Sequence, residues 1–264
     1  MTDTVPDILA RIVAHKLWER ARAPANLDEL ERQATAAMAD RRNFRAALLA
    51  KSPAIIAEIK QASPSKGMLS ADFDPARLAK QYQCGGAAAL SVLTDEHFFK
   101  GSLGDLRAAR GAVSLPVLRK DFTLDEQHVV EAAAHGADAI LLIAAILDVS
   151  RIRKLRELAA TYLMSALVEA HNESEVDMAL EAGADLIGVN NRDLKTFEVK
   201  LETSLKLAER IPSSVMKVAE SGIHSAADVS LLRGAGFQAF LVGERLMTAS
   251  NPAVALRELI GGAA

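Results

Sequence analysis

Lysine and glutamate residues stand at the carboxyl ends of four short apolar segments of the chain. Glu58 and Lys60 end one segment, and Lys120, Glu169 and Glu220 end three others. An ammonium group can protonate a carbonyl or hydroxyl oxygen, and a carboxylate can accept a proton. Any one of these residues, Lys120 included, could simply be the first solvated residue after a strand. Because four segments end in the same way, we predict that the side chains form one cluster that performs acid–base chemistry.

The elements that position these residues alternate regularly. From residue 54 onward, apolar segments of strand length alternate with helical patterns, and Gly86, Gly136, Gly183 and Gly236 each end a helical segment just before every second strand. Eight strand–helix units in a chain of this length predict a closed (β/α)8 TIM barrel of the α/β class. The predicted strands are 54–60, 88–94, 115–120, 138–143, 163–169, 185–190, 215–220 and 238–243.

Residues 1–50 carry helical patterns and no strand pattern. We therefore predict a helical N-terminal extension over 1–50, packed on a barrel over 51–264, with the two parts forming a single domain. The carboxyl ends of the strands meet at one face of such a barrel, here called the mouth, where barrel enzymes place their active sites. The mouth should gather the charged residues together with Thr94 and Asn190, which end the second and sixth strands.

The last two strands run into Ser221–Gly222 and Gly243–Glu244. Loops in these two positions of a barrel commonly bind phosphate through backbone N–H groups, although the glycines could also serve only to make tight turns. The pattern predicts a phosphorylated small molecule as the ligand. The loop over 61–69 is rich in small polar residues and is a candidate lid over that ligand.

Composition argues against several other classes of protein. Of the 264 residues 50% are apolar and the formal net charge is −3, with acids and bases interspersed, so we expect no nucleic-acid partner. The longest apolar run is too short to span a bilayer, and we expect no membrane partner. A single cysteine and an N-terminus without a signal peptide predict a cytoplasmic protein. The histidines show no metal-ligand spacing and no nucleotide-binding motif is present, so we expect neither metal nor cofactor. His171, two residues after Glu169, could approach the mouth but is interpreted as a loop residue.

A series of short motifs, in order along nearly the whole chain, resembles the indole-3-glycerol phosphate synthase family of tryptophan biosynthesis. The resemblance implies a carboxy-lyase that closes the indole ring of 1-(o-carboxyphenylamino)-1-deoxyribulose 5-phosphate with loss of CO2 and water. It also implies a TIM barrel with a helical extension, and we expect a monomer. The motifs are AEIK at 57–60, SPSKG at 63–67, LRKDF at 118–122, LVE at 167–169, GVNNRDL at 188–194, VAESGI at 218–223 and LVGE at 241–244.

The same resemblance implies roles for individual residues. Lys120 matches the general acid of ring closure, and Glu169 and Lys60 match the acid–base residues of the later dehydration. The polar residues around the reacting centre are Glu58, Asn190 and Glu220. The positions near the anthranilate end of the substrate are Ser63, Phe122 and Leu141. The positions on the phosphate side are Arg192, Ser221, Gly222, Gly243 and Glu244, the last through its backbone N–H.

Two other functions fit the residues taken alone. The first is an aldolase that uses Lys120 as a Schiff-base amine on a sugar phosphate. The second is a phosphosugar-binding protein without catalysis, since a fold alone does not fix a function. Carboxylates near Lys120 should raise its pKa, whereas a Schiff-base lysine requires a lowered one. This neighbourhood favours a charged proton donor over a nucleophile.

Overall fold

Eight parallel strands form a closed barrel in a computed structural model that describes residues 7–22, 26–64, 67–69 and 72–261. The (β/α)8 TIM barrel is confirmed, and each predicted strand end lies within two residues of the observed one. Each strand pairs with its sequence neighbours, and the last strand closes the barrel on the first. The strands are β1 Ala54–Ile59, β2 Ala89–Leu93, β3 Val117–Lys120, β4 Ala139–Ile143, β5 Ser165–Ala170, β6 Leu186–Asn190, β7 Met216–Glu220 and β8 Ala239–Val242.

Alternation along each strand separates two cores. In β1, Ile55, Ala57 and Ile59 pack outward against the surrounding helices, while Ala54 and Ile56 pack into the barrel interior. A side-chain period of two therefore places Glu58 on the inward face. By the same alternation, the inward-facing residue at or near the end of β3, β5 and β7 is Lys120, Glu169 and Glu220, respectively. Each odd-numbered strand therefore places a charged side chain at the mouth.

Helices surround the barrel, and side chains of Asp, Asn or Ser cap the N-termini of most of them. For example, Asn172 accepts a hydrogen bond from the backbone N–H of Glu175, which satisfies one of the free donors at the start of a helix. The helices are α1 Asp7–Arg22, α2 Leu27–Ala37, α3 Phe44–Leu49, α4 Pro75–Gly85, α5 Glu96–Phe99, α6 Leu103–Ala112, α7 Glu126–Ala134, α8 Val149–Thr161, α9 Glu173–Glu181, α10 Glu202–Ala208, α11 Ala226–Gly234, α12 Glu244–Met247 and α13 Pro252–Ile260.

Three α-helices precede the first strand, in agreement with the predicted helical extension, and they reach opposite ends of the barrel. At one end, Phe44 and Leu48 of α3 are buried against the barrel interior. At the other end, Lys16 of α1 forms ion pairs with Asp95 (2.9 Å) and Asp121 (3.0 Å), which follow β2 and β3. The three groups are buried, so α1 is fixed at the mouth by charge as well as by packing. The division into 1–50 and 51–264 stays a prediction.

The loop after β1 contains a short antiparallel hairpin that the sequence did not indicate. Ala62–Ser63 pairs with Gly67–Met68, and the backbone N–H of Leu69 donates to the carbonyl of Gln61. Residues 65 and 66 of the proposed lid lie outside the described residues, and a lid function stays a prediction. Within the described part of the chain, no helix combines the length and hydropathy needed to cross a membrane.

Candidate active site

The charged side chains predicted from the strand ends lie together at the mouth. Lys120 Nζ is 2.7 Å from Glu169 Oε2 and 3.5 Å from Glu220 Oε2. On the neighbouring side of the barrel, Lys60 Nζ is 2.5 Å from Glu58 Oε1. All three carboxylates are buried. The site therefore holds two ammonium groups and three carboxyl groups with little solvent between them.

Burial and neighbouring charges shift the pKa values of Lys120, Glu169 and Glu220 in different directions. Burial disfavours the charged form of Lys120, but the carboxylates of Glu169 and Glu220 outweigh burial and raise the pKa of its ammonium group. Burial likewise opposes the charge of Glu169, yet Lys120 and His171 together outweigh burial and lower the pKa of that carboxyl group. For Glu220, burial dominates and raises the pKa, with the charge of Glu169 acting in the same direction. The raised pKa of Lys120 agrees with the expectation from sequence.

Asn190 and Ser221 form the polar wall between β6 and β7. The side-chain oxygen of Asn190 accepts hydrogen bonds from Ser221 Oγ (2.8 Å) and from the backbone N–H of Arg192 (3.1 Å). Because two donors already occupy this oxygen, the amide nitrogen is the group that Asn190 can offer to a ligand. Ser221 has a φ of +66°, a left-handed conformation that is uncommon for a residue other than glycine. The turn thus brings the Ser221 hydroxyl back toward the end of β6.

Two glycines line the end of the cavity nearest β7 and β8. Gly222 has a φ of +77°, and a Cβ atom there would lie 2.5 Å from Val199 Cγ1. A Cβ on Gly243 would collide with Glu58 Oε1 and lie 3.0 Å from Lys60 Nζ. A larger side chain at either position would force Val199 or the Glu58–Lys60 pair to move, so close packing favours glycine at both positions.

The opposite end of the cavity is apolar. The cavity encloses about 460 Å3, and Phe122 and Leu141 form part of its wall. Ile8, Leu9 and Ile12 of α1 also line it. The sequence did not show whether the first 50 residues reach the site. The apolar stripe of α1 was visible, but which surface it covers depends on tertiary packing.

Every residue to which the family resemblance gave a role lines this one cavity. The set comprises Glu58, Lys60, Ser63, Lys120, Phe122, Leu141, Glu169, Asn190, Arg192, Glu220, Ser221, Gly222, Gly243 and Glu244. Arg192 Nη2 lies 3.9 Å from Glu244 Oε2.

Thr94 was wrongly predicted to belong to the mouth. Its hydroxyl donates to Asp121 Oδ2 (2.5 Å) and accepts from Arg119 Nε (3.0 Å), within a buried ionic network behind the cavity. The strand ends at Leu93, whose side chain lines the cavity, so the next residue faces the other side.

His171 lies in the loop between β5 and α9, as interpreted, but its ring reaches the charged cluster at the mouth. Its ring Nε2 lies 3.3 Å from Glu169 Oε1, and the ring is largely buried. The spacing of two residues from Glu169 was the available signal, because residues i and i+2 of an extended segment share a face. Among the described residues, no group of three or more His, Cys, Asp or Glu side chains is arranged to hold a metal ion.

Residues 9–259 match the family model for indole-3-glycerol phosphate synthase. The chain belongs to the indole-3-glycerol phosphate synthase family. It is 52% identical over 229 residues to the indole-3-glycerol phosphate synthase of Aromatoleum aromaticum, covering 85% of this chain and 87% of the relative. It is 48% identical over 264 residues to that of Koribacter versatilis, covering 99% and 97%. Membership of this synthase family makes the protein a carboxy-lyase of tryptophan biosynthesis that acts on a phosphorylated small molecule.

More distant solved structures share the fold of the synthase. The 3-hexulose-6-phosphate synthase from Salmonella typhimurium aligns with a TM-score of 0.62 at 14% identity, covering 79% of this chain and 97% of the other. The N-acetylmannosamine-6-phosphate 2-epimerase from Clostridium perfringens aligns with a TM-score of 0.58 at 16% identity, covering 75% and 89%. At these identities the likeness concerns the barrel alone.

The synthase should be highly sensitive to a methyl group at Gly243. In Gly243→Ala, the new Cβ must displace the Glu58–Lys60 pair, and a shift of about 1 Å in such a group costs about a hundredfold in rate. We expect kcat/KM to fall by about that factor. Gly111→Ala is the matched control, because a Cβ there meets no atom within 4 Å. Equal activities of the two variants in a turnover assay would contradict the close approach.

Proposed function

We propose that the protein closes the indole ring with Lys120 as the general acid and Glu169 and Lys60 in the later acid–base steps. As the aromatic ring carbon attacks the substrate carbonyl, the ammonium of Lys120 gives its proton to the carbonyl oxygen. Loss of CO2 then restores aromaticity. The observation that carries the proposal is Lys120 Nζ between two buried carboxyl groups at 2.7 and 3.5 Å. These carboxyl groups hold Lys120 protonated until an oxygen of greater basicity forms beside it.

Dehydration needs an acid at the departing hydroxyl group and a base for the proton that leaves the ring. Lys60 is suited to protonate the hydroxyl group, and Glu169 is suited to accept the proton because it is held ionised beside Lys120. Glu58, Asn190 and Glu220 then orient and stabilise the reacting centre.

The two ends of the cavity suit the two ends of the substrate. The apolar wall of Phe122 and Leu141, with Ser63 at its edge, is suited to the anthranilate ring. We assign the phosphate to the turns around Gly222 and Gly243 at the other end of the cavity. Arg192 supplies positive charge there, and Glu244 contributes only its backbone N–H, since a carboxylate repels phosphate. The phosphate-binding residues proposed are Arg192, Ser221, Gly222, Gly243 and Glu244.

A turnover assay that follows the fluorescence of the indole product tests this function. We expect conversion of 1-(o-carboxyphenylamino)-1-deoxyribulose 5-phosphate without added metal or cofactor. Binding without turnover would favour the phosphosugar-binding alternative. Borohydride reduction in the presence of a keto-sugar phosphate tests the aldolase alternative, because covalent labelling of Lys120 would reveal a Schiff base.

We also propose that the enzyme works as a monomer in the cytoplasm. A sedimentation experiment over a range of concentrations should give one species at the mass of the monomer. A larger species at all concentrations would contradict this.

A further inference from the structure

His171 lies at the end of β5 and contacts the catalytic cluster from behind. Its Nε2 is 3.3 Å from Glu169 Oε1, whereas the other oxygen, Glu169 Oε2, faces Lys120 Nζ at 2.7 Å. The carboxylate of Glu169 therefore has a cationic or potentially cationic group on each oxygen. This arrangement fixes the rotation of the carboxylate as well as its charge.

A second carboxylate holds the His171 ring in place. Its Nδ1 lies 2.9 Å from Glu175 Oε2, and that oxygen also accepts the backbone N–H of His171 at 2.8 Å. Glu175 Oε1 in turn accepts a hydrogen bond from Asn172 Nδ2 (2.7 Å), at the start of α9. A chain of polar contacts thus runs from the first turn of α9 through His171 and Glu169 to Lys120.

The charge on His171 follows from these two neighbours. Burial disfavours the imidazolium ion, but the carboxylates of Glu169 and Glu175 outweigh burial and raise the pKa of His171 to about 10. The charged groups around the ring are Glu169 on β5 and Glu175 on α9, and Lys120 and Glu220 lie on the far side of Glu169. His171 is accordingly a cation at neutral pH.

Glu169 and Glu220 share Lys120, but their other surroundings differ. Among the described residues, the cation within ion-pair distance of Glu220 is Lys120 alone, at 3.5 Å. Glu220 Oε1 is buried and has no hydrogen-bonding partner in the described part of the chain. Space for this oxygen exists because residue 188 is glycine, since a Cβ there would collide with it. An unpartnered buried oxygen suits a neutral carboxyl group far better than an anion.

We propose that His171 is a positioning residue that decides which of the two carboxyl groups beside Lys120 carries the proton. By contacting Glu169 and not Glu220, it holds Glu169 as the anion and leaves Glu220 as the neutral acid. Two carboxyl groups that differ in this way can serve as base and acid in one reaction. This use of the pair rests on the proposed function, whereas the location of the proton is a property of the unliganded protein.

The protonation of the two carboxyl groups can be measured without substrate. Protein labelled with 13C at the glutamate carboxyl carbons is titrated by NMR, and loss of a signal in Glu169→Gln or Glu220→Gln assigns the two resonances. We expect Glu169 to titrate below the ordinary range of a glutamate and Glu220 above it. In His171→Gln the two titrations should move toward each other, because Glu169 loses its second cation.

Kinetics provide a readout that a purely structural role would not change. In His171→Gln, kcat should fall about tenfold with little change in KM. The acid limb of the pH profile of kcat/KM should move up by about one pH unit, since a carboxylate that loses a cationic neighbour is protonated at higher pH. His135→Gln makes the same chemical change far from the cavity and should alter neither quantity. Glu175→Gln keeps the ring but removes one of its partners, so it should shift the limb in the same direction by less.

The outcomes separate this proposal from the proposed function. Unchanged carboxyl titrations in His171→Gln, or lower activity with an unmoved acid limb, would overturn the role of His171. If His171→Gln fails to fold, the titrations of Glu175→Gln decide in its place. A protein that shows the divided titrations but forms no indole product would support the role of His171 while refuting the synthase activity.

Discussion

Lys120→Ala should reduce kcat by about a thousandfold, the scale on which a general acid contributes to a reaction. The ammonium of Lys120 is the cation that Glu169 and Glu220 share, and it is the group proposed to protonate the substrate carbonyl. The variant should bind substrate, because the apolar wall and the phosphate side of the cavity are unchanged. Turnover measured by product fluorescence, with binding measured by titration, separates the two effects.

Lys120→Arg is the informative companion to this variant. A guanidinium group keeps the positive charge beside both carboxyl groups but does not give up its proton in proteins. Its activity should stay as low as that of Lys120→Ala, while its midpoint of thermal unfolding should stay nearer to that of the wild type. Activity within about tenfold of the wild type in Lys120→Ala, roughly 1.4 kcal/mol of barrier, would rule out a general-acid role.

Much of the site could be predicted from sequence because of two regularities, the order of the strands around the barrel and the alternation of side chains along each strand. Lys120, Glu169 and Glu220 each end an apolar segment, and all parallel strands of a barrel end at one mouth. Glu58 could be added because its spacing from Lys60 sets both on one face. These inferences need only local periodicity and the closure of the barrel, so they can be made without knowing how the side chains pack.

The features that sequence left undetermined depend on contacts between distant segments. The apolar stripe of α1 gave no sign that Ile8 and Ile12 would line the cavity, because the helix is held there by the buried pairs of Lys16 with Asp95 and Asp121. For Thr94, a boundary error of one residue reversed the direction of the side chain. Such an error is ordinary at strand ends and inverts any assignment to a face.

His171 shows a different limit of sequence reasoning. Its spacing placed it near the mouth, but its partner Glu175 lies on the following helix, where Asn172 and the first helical turn fix the carboxylate. The contacts that raise the pKa of His171 are therefore local in sequence, but they depend on how the chain turns from β5 into α9. A capped helix that begins directly after a catalytic strand is a place where such supporting residues can be sought.

Glu169→Gln should lower kcat by about a hundredfold to a thousandfold while leaving KM within a few-fold. The side-chain amide has nearly the same shape as the carboxylate but cannot accept and return a proton. It also removes the anion that lies between Lys120 and His171. Without the Glu169 carboxylate, the charge of Lys120 should favour ionisation of Glu220. The site then keeps one anion, but the Glu220 carboxylate does not occupy the position of Glu169 and cannot take over its role.

A matched variant on the adjacent helix controls for the loss of one negative charge. Glu173 is exposed and pairs with Lys206 at 2.9 Å on the surface, so Glu173→Gln should leave kcat and KM unchanged. Combining Glu169→Gln with His171→Gln should cost little beyond Glu169→Gln alone, because His171 acts through Glu169. An unchanged kcat in Glu169→Gln, or a loss confined to KM, would remove Glu169 from the chemistry and leave it only a partner that keeps Lys120 charged.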